Sequence, residues 1–196
     1  MDENERGGEP KVGASIKRIR EEKGLSLFDL AGKSGFSTAL LSQIENHLIS
    51  PSLGALTILS RALEVDLGTL LGHEGTAPFC VTRSDQGKET FRFASKEGVK
   101  YGYSYESLAY DKKNRHMEPF IVTLEPPTVP DPAGRTHDGE EFLHVLEGEV
   151  KVTLGDHTDV LEPGDSIYYD SSIPHRVECV GTSAKILAVI YTPTAG

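Results

Sequence analysis

The chain has 196 residues, 37% hydrophobic and 26% charged, with a formal net charge of −10. That length suits one large domain or two small ones, and the balance is that of a water-soluble chain with folded cores. The apolar runs fall far short of the ~18–20 residues of a membrane span, the acidic start carries no secretory signal, and two distant cysteines make no disulfide framework, so a cytoplasmic setting is expected.

A net acidic charge disfavours nucleic acid, because phosphates are met by Lys and Arg. The acid is unevenly spread, however. Residues 10–72 hold seven basic side chains against six acidic ones, and residues 79–196 hold twelve against nineteen. The near-neutral first part, with Lys17, Arg18, Arg20 and Lys23 close together, remains compatible with DNA.

Residues 1–10, with Gly7, Gly8 and Pro10 among charges, read as a disordered leader. From Val12 the pattern becomes helical, with Val12, Ile16 and Ile19 on one face of a helix ending near Gly24. Ser26 is placed to cap a second helix carrying Leu27, Leu30 and Ala31. Gly35 supplies a left-handed turn, and Ser37 caps a third helix with Leu41 and Ile44 inward. Ser50-Pro51-Ser52 opens a fourth helix that buries Leu53, Leu56, Leu59, Ala62 and Leu63, and residues 65–71 make a short fifth. A five-helix domain over residues 11–72 is therefore expected.

Residues 73–78 have linker composition. Beyond them the periodicity changes to that of strands. Phe91-Arg92-Phe93, Tyr101-Gly102-Tyr103-Ser104-Tyr105, Phe120-Ile121-Val122-Thr123-Leu124 and Val150-Lys151-Val152-Thr153-Leu154 are separated by Gly, Pro and Asp clusters. That spacing predicts an all-β sandwich or barrel over residues 79–196.

In the first domain, the second and third helices with Gly35 between them have the proportions of a helix-turn-helix, in which the second helix enters the major groove. With Leu41 and Ile44 inward, Thr38, Ala39, Ser42 and Gln43 face out. Gln43 suits a bidentate contact to adenine, Thr38 a base edge or thymine methyl, and Ala39 an apolar contact. Ser26 and Ser37, at helix N-termini, suit phosphate oxygens, and Lys17 adds a phosphate charge. Residues 12–71 resemble the Cro/repressor (XRE) helix-turn-helix family, including Glu45-Asn46 and Ser50-Pro51-Ser52 after the third helix. The resemblance implies base contacts at Thr38, Ala39 and Gln43, and His47 stands where that family commonly carries Gly. A helical bundle used for protein contacts would keep the same Leu and Ile core.

The second domain carries Arg135, His137, Glu141 and Gly148, then Pro163-Gly164-Asp165 and Pro174-His175. These resemble the two motifs of the cupin barrel, which implies a double-stranded β-helix with metal ligands on inward-facing strands. Arg135 stands where the first His of that pattern stands. His137, Glu141 and His175 remain, and two His with one carboxylate form a facial triad suited to iron(II), with zinc, nickel and manganese as other fits. Alternatively, Arg135 pairs with Glu141 or with a ligand carboxylate, and the pocket takes an organic anion without metal. Tyr105, with Tyr103, and Cys179, in strand phase with His175, are expected to line the pocket or pack the core. His47, His73, His116, His144 and His157 are expected outside it.

A DNA reader joined to a pocket-forming barrel implies a one-component transcription regulator. The expected form is a homodimer on a palindromic operator, with a small-molecule effector or a divalent metal acting through residues 72–78. The alternative is an enzyme, because the chain also resembles the hydroxypropylphosphonate epoxidases, mononuclear non-haem iron enzymes that join a similar helical domain to a cupin. Gly24 falls where those enzymes carry a lysine from the helical domain.

Overall fold

The computed structural model describes residues 12–49, 51–71, 75, 77–84, 90–92, 103–126 and 134–193. The expected leader, and residues 73, 74 and 76 of the expected linker, lie outside them. Five helices come first: α1 (Val12–Glu22), α2 (Leu27–Ser34), α3 (Thr38–Glu45), α4 (Leu53–Ala62) and α5 (Leu67–Leu70). The last is shorter than expected at both ends.

Serine side chains cap the starts of α2, α3 and α4. The Ser26 hydroxyl accepts from the Asp29 amide while the Asp29 carboxylate takes the Ser26 amide, a reciprocal capping box that starts α2. Ser37 accepts from the Leu40 amide and Ser52 from the Ala55 amide, starting α3 and α4. Gly35 ends α2 in the left-handed region, at φ 72°. Val12, Ile16, Ile19, Leu30, Leu41, Ile44, Leu56 and Leu59 close one apolar core. In that core α1 and α3 approach so closely at Gly13 that an added Cβ would lie 2.2 Å from the Ile44 carbonyl oxygen. The turn after α3 keeps its left-handed residue although His47 occupies it, at φ 61°.

Among the described residues seven strands follow: β1 (Thr90–Arg92), β2 (Tyr103–Ser107), β3 (Met117–Leu124), β4 (Glu140–Leu154), β5 (His157–Leu161), β6 (Ser166–Asp170) and β7 (His175–Tyr191). All pair antiparallel in the order β1-β2-β3-β7-β4-β5, with β6 also on β4. Alternation along β3 buries Phe120, Val122 and Leu124 opposite Ala188, Ile186 and Ala184 of β7. The stretch Val150-Lys151-Val152-Thr153-Leu154 proves to be the last third of one long strand, and β7 runs for 17 residues. The two pair from Glu140 opposite Tyr191 to Leu154 opposite His175, with register shifts around residues 145–149. Gly148 makes that bulge passable: φ is 72°, and an added Cβ would lie 2.5 Å from the Ser183 carbonyl oxygen.

The helices rest on the barrel. The hydroxyl of Tyr105, a fully buried β2 residue, donates to the Pro51 carbonyl at 2.9 Å and receives the Leu53 amide at the start of α4. Arg115, in a buried ion pair with Glu118 of β3, lies against Gly68 of α5. Arg61 of α4 pairs with Asp138 ahead of β4.

Candidate metal centre and nucleic-acid interface

Barrel closure sets the metal-ligating geometry. Arg135 and His175 exchange both backbone hydrogen bonds, at 3.0 Å each, and the His137 amide donates to the Ser171 carbonyl. His175, at the start of β7, thereby lies beside His137 and Glu141 although Glu141 itself pairs across the sheet with Tyr169 and Ile190. All three side chains are buried, and their ligating atoms lie within 4.8 Å of one another. Glu141 Oε1 is 2.9 Å from His137 Nε2 and 3.6 Å from His175 Nε2.

The other ring nitrogens determine what this arrangement accepts. His137 Nδ1 is 3.1 Å from the Asp138 carbonyl and His175 Nδ1 is 2.9 Å from the Ile173 carbonyl. A carbonyl cannot donate, so each Nδ1 carries the hydrogen. In the neutral rings both Nε2 lone pairs then face the Glu141 carboxylate. Two lone pairs and an anion converge on one buried point, which a cation satisfies: a shared proton or a divalent metal. Fixing the tautomer through Nδ1 is what metal sites do to their histidines, and the spacing and donor set fit such an ion.

Glu141 is also oriented from behind. The Tyr169 hydroxyl donates to its Oε2 at 2.6 Å. Burial alone would push the carboxyl up, but the neighbouring His137, His175 and Tyr169 hydroxyl together hold it below its ordinary value. Burial and the neighbouring carboxylate push the Tyr169 phenol well up, keeping it a donor at neutral pH.

Arg135 stands beside the triad. Its Cβ lies on the side of the triad that faces α4, and its guanidinium carbon sits 4.8 Å from the ring centre of Phe36, the residue before the Ser37 cap of α3. The side chain at the missing-ligand position thus reaches the helix-turn-helix turn, a cation–π contact between the domains. Gly54, in the first turn of α4, covers the triad: an added Cβ would meet His137 Cδ2 at 3.4 Å, His175 Nε2 at 3.5 Å and the Arg135 Cβ at 3.6 Å. No sequence signal marked Gly54, because a glycine in a helical pattern carries no chemistry to read.

Tyr105 stacks on Tyr103, with centroids 6.2 Å apart, and uses its hydroxyl on the helical domain. Cys179 is half-buried opposite Val150, four residues beyond His175, and is not part of the triad cluster; burial pushes its thiol up. His144 bonds Ser166, and His157 opens β5 and pairs with Asp159. His47 is half-buried with its ring against Gly13, and His73 lies outside the described residues.

On the helical side, Lys17, Ser26, Ser37, Thr38, Ala39 and Gln43 are exposed and Ser42 is half-exposed. Ser26 and Ser37 are committed to their caps, and Ser42 receives the Asn46 amide. An ion pair that the sequence did not announce seats α3: Arg20 of α1 grips Glu45 with Nε to Oε1 at 2.6 Å and Nη2 to Oε2 at 2.9 Å, both side chains buried. The signal available was one of position, since Arg20 falls next to Ile19 on the buried face of α1.

Residues 16–70 match the helix-turn-helix family and residues 120–191 the cupin domain family. The regulator PuuR of Escherichia coli is 28% identical over 186 residues, covering 93% of this chain and 95% of that protein. The regulator SinR of Bacillus licheniformis is 33% identical over 108 residues, 55% of this chain and 97% of SinR. The (S)-2-hydroxypropylphosphonic acid epoxidase of Streptomyces wedmorensis is 29% identical over 153 residues, 74% of this chain and 70% of that enzyme. In fold, a helix-turn-helix regulator structure from Vibrio cholerae aligns over 94% of this chain and 97% of its own, with a TM-score of 0.62 at 22% identity.

Proposed function

Because the chain belongs to the helix-turn-helix transcriptional regulators and carries a C-terminal cupin domain, we propose that it reads an operator through α3 and reports, through its barrel, a divalent metal held by His137, Glu141 and His175. The observation that carries this reading is the seating of α4 directly over the triad, with Gly54 against His137 and His175. An ion or its ligand at the triad would act on the same domain that presents Thr38, Ala39, Ser42 and Gln43 to DNA.

The division of labour on the DNA is Gln43, Thr38 and Ala39 for base edges and Lys17, with the α2 and α3 N-termini at Ser26 and Ser37, for phosphates. One short helix supplies few base contacts, so the functional form is a cytoplasmic homodimer spanning two half-sites about 34 Å apart. Support for a barrel-borne dimer contact comes from Met117 and Tyr191, directly paired and exposed on β3 and β7. The domain limits follow the same division: residues 11–72 read, residues 73–78 link, residues 79–196 sense.

The test is selection of bound sequences from a random DNA pool by the full chain, metal-free and loaded in turn with iron(II), zinc, nickel and manganese. A palindromic consensus whose affinity changes with loading is the expected result. Gln43→Ala should cost about 1–3 kcal/mol at one position of that consensus, whereas Lys17→Ala should weaken all sequences alike. No enrichment under any loading would overturn the reading. A second reading, iron-dependent oxidation, draws on the same triad. In this chain Gly24, just beyond α1, is exposed with nothing near its Cβ position, and the triad is covered by α4 instead.

A further inference from the structure

A crevice of about 550 Å³ opens between the helical domain and the barrel, within the size range of small-molecule sites and at a domain boundary, where such sites concentrate. Its helical wall carries two cations, Lys33 of α2 and Arg61 of α4, above the aliphatic Ile58 and Ala62. Its barrel wall offers the hydroxyls of Thr136 and Ser172 together with Asp138 and His137. Of the metal triad only His137 lines it, so the crevice is a separate compartment that abuts the triad from outside.

Both cations are provisionally neutralised. Lys33 Nζ is 3.0 Å from Glu64, which is mostly exposed, and Arg61 pairs with the exposed Asp138 across the domain boundary. Solvent-exposed pairs of this kind contribute about 0–1 kcal/mol. A ligand oxyanion gripped by the Arg61 fork, with Lys33 behind it and two hydroxyls donating, makes the stronger charge-assisted set.

We propose that this crevice is a binding site for a small oxyanion, a carboxylate or phosphate on a short aliphatic body, which takes Arg61 from Asp138. Asp138 acts as the built-in competitor. Exchanging it for a free anion cuts an ionic tether between α4 and the barrel while leaving the triad intact. The consequence for DNA rests on the regulator reading, but the binding site itself does not.

The experiment is calorimetric titration of the full-length, chelator-treated protein at constant ionic strength, with inorganic phosphate and then with malonate, in the absence of DNA. Saturable binding of one anion per chain is expected, and the tighter of the two identifies the head group. Arg61→Gln should weaken binding about tenfold or more, equivalent to about 1.4 kcal/mol. Asp138→Asn should tighten it severalfold, a change that a general loss of structure cannot mimic. Arg61 and Asp138 are both exposed, so neither variant endangers folding. Absence of saturable binding by both anions, binding untouched by Arg61→Gln, or a loss of affinity in Asp138→Asn would each overturn the proposal. A protein that binds the anions in this way yet selects no DNA sequence would overturn the regulator reading and leave the site standing.

Discussion

Glu45 and Glu141 are both buried carboxylates, and they differ in what compensates them. Glu45 is neutralised inside the protein by the bidentate Arg20, whose remaining nitrogen bonds the Leu25 carbonyl at 2.8 Å. Truncating one partner strands the other charge, so Glu45→Ala is expected to lower unfolding stability by about 3–5 kcal/mol in urea denaturation; a loss near zero would mean the pair behaves as a surface pair. Glu141 instead holds one oxygen toward two imidazoles and the other on Tyr169. Removing that outer hydroxyl in Tyr169→Phe should weaken metal retention about 10–100-fold in a competitive chelator titration, with the far-ultraviolet spectrum unchanged. Undiminished retention would show that the hydroxyl does not orient the ligand. His137, Glu141 and His175 were legible because a spacing pattern names them. Arg20, Glu45 and Tyr169 were not, since a charge on a helix reads as solvated and an aromatic on a strand reads as core until a partner far away in sequence is placed beside it.

At the scale of elements, the helix termini were the most legible feature, because a cap is decided within four residues. The Ser26 hydroxyl and backbone amide hold the Asp29 carboxyl below its ordinary value. Such a group stabilises the fold above its unfolded pKa, and the contribution is lost as pH falls through the lower, folded value. The stability gap between the wild type and Asp29→Asn, present at pH 7, should therefore close as the solution is acidified below about pH 4; thermal melts across that range test it, and a gap undiminished at about pH 2 would remove Asp29 from the account. The long strands were legible only in pieces. Gly148 and Gly181 have positive φ inside β4 and β7, and a glycine inside an alternating pattern reads as a strand end until the partner strand shows the bulge.

The whole molecule differs most from the sequence expectation in how its halves meet. A path between them through residues 72–78 is the natural reading of composition, yet the contacts are direct: Tyr105 to Pro51, Arg135 to Phe36, Arg61 to Asp138 and Gly54 over the triad. None of these pairs is local, and none belongs to either family's motif, so no spacing could announce them. Gly54 gives the sharpest test. Its backbone is ordinary helix and an added methyl finds van der Waals distances, so Gly54→Ala should raise stability by about 0.4–1 kcal/mol through the unfolded chain. The same methyl stands against His175 Nε2 and should lower metal affinity; a variant both more stable and equally metal-retentive would show that α4 does not guard the site. One consequence concerns the order of synthesis. β7 is the last of the described strands and lies between β3 and β4 in the sheet, and it contributes His175. The helices can fold as soon as they emerge, since domains form N-terminal first, whereas the barrel has no centre and the triad no third member until β7 has been made. A chain cut short before β7 therefore keeps its whole helix-turn-helix but has neither the central strand of its sheet nor His175 beside His137 and Glu141.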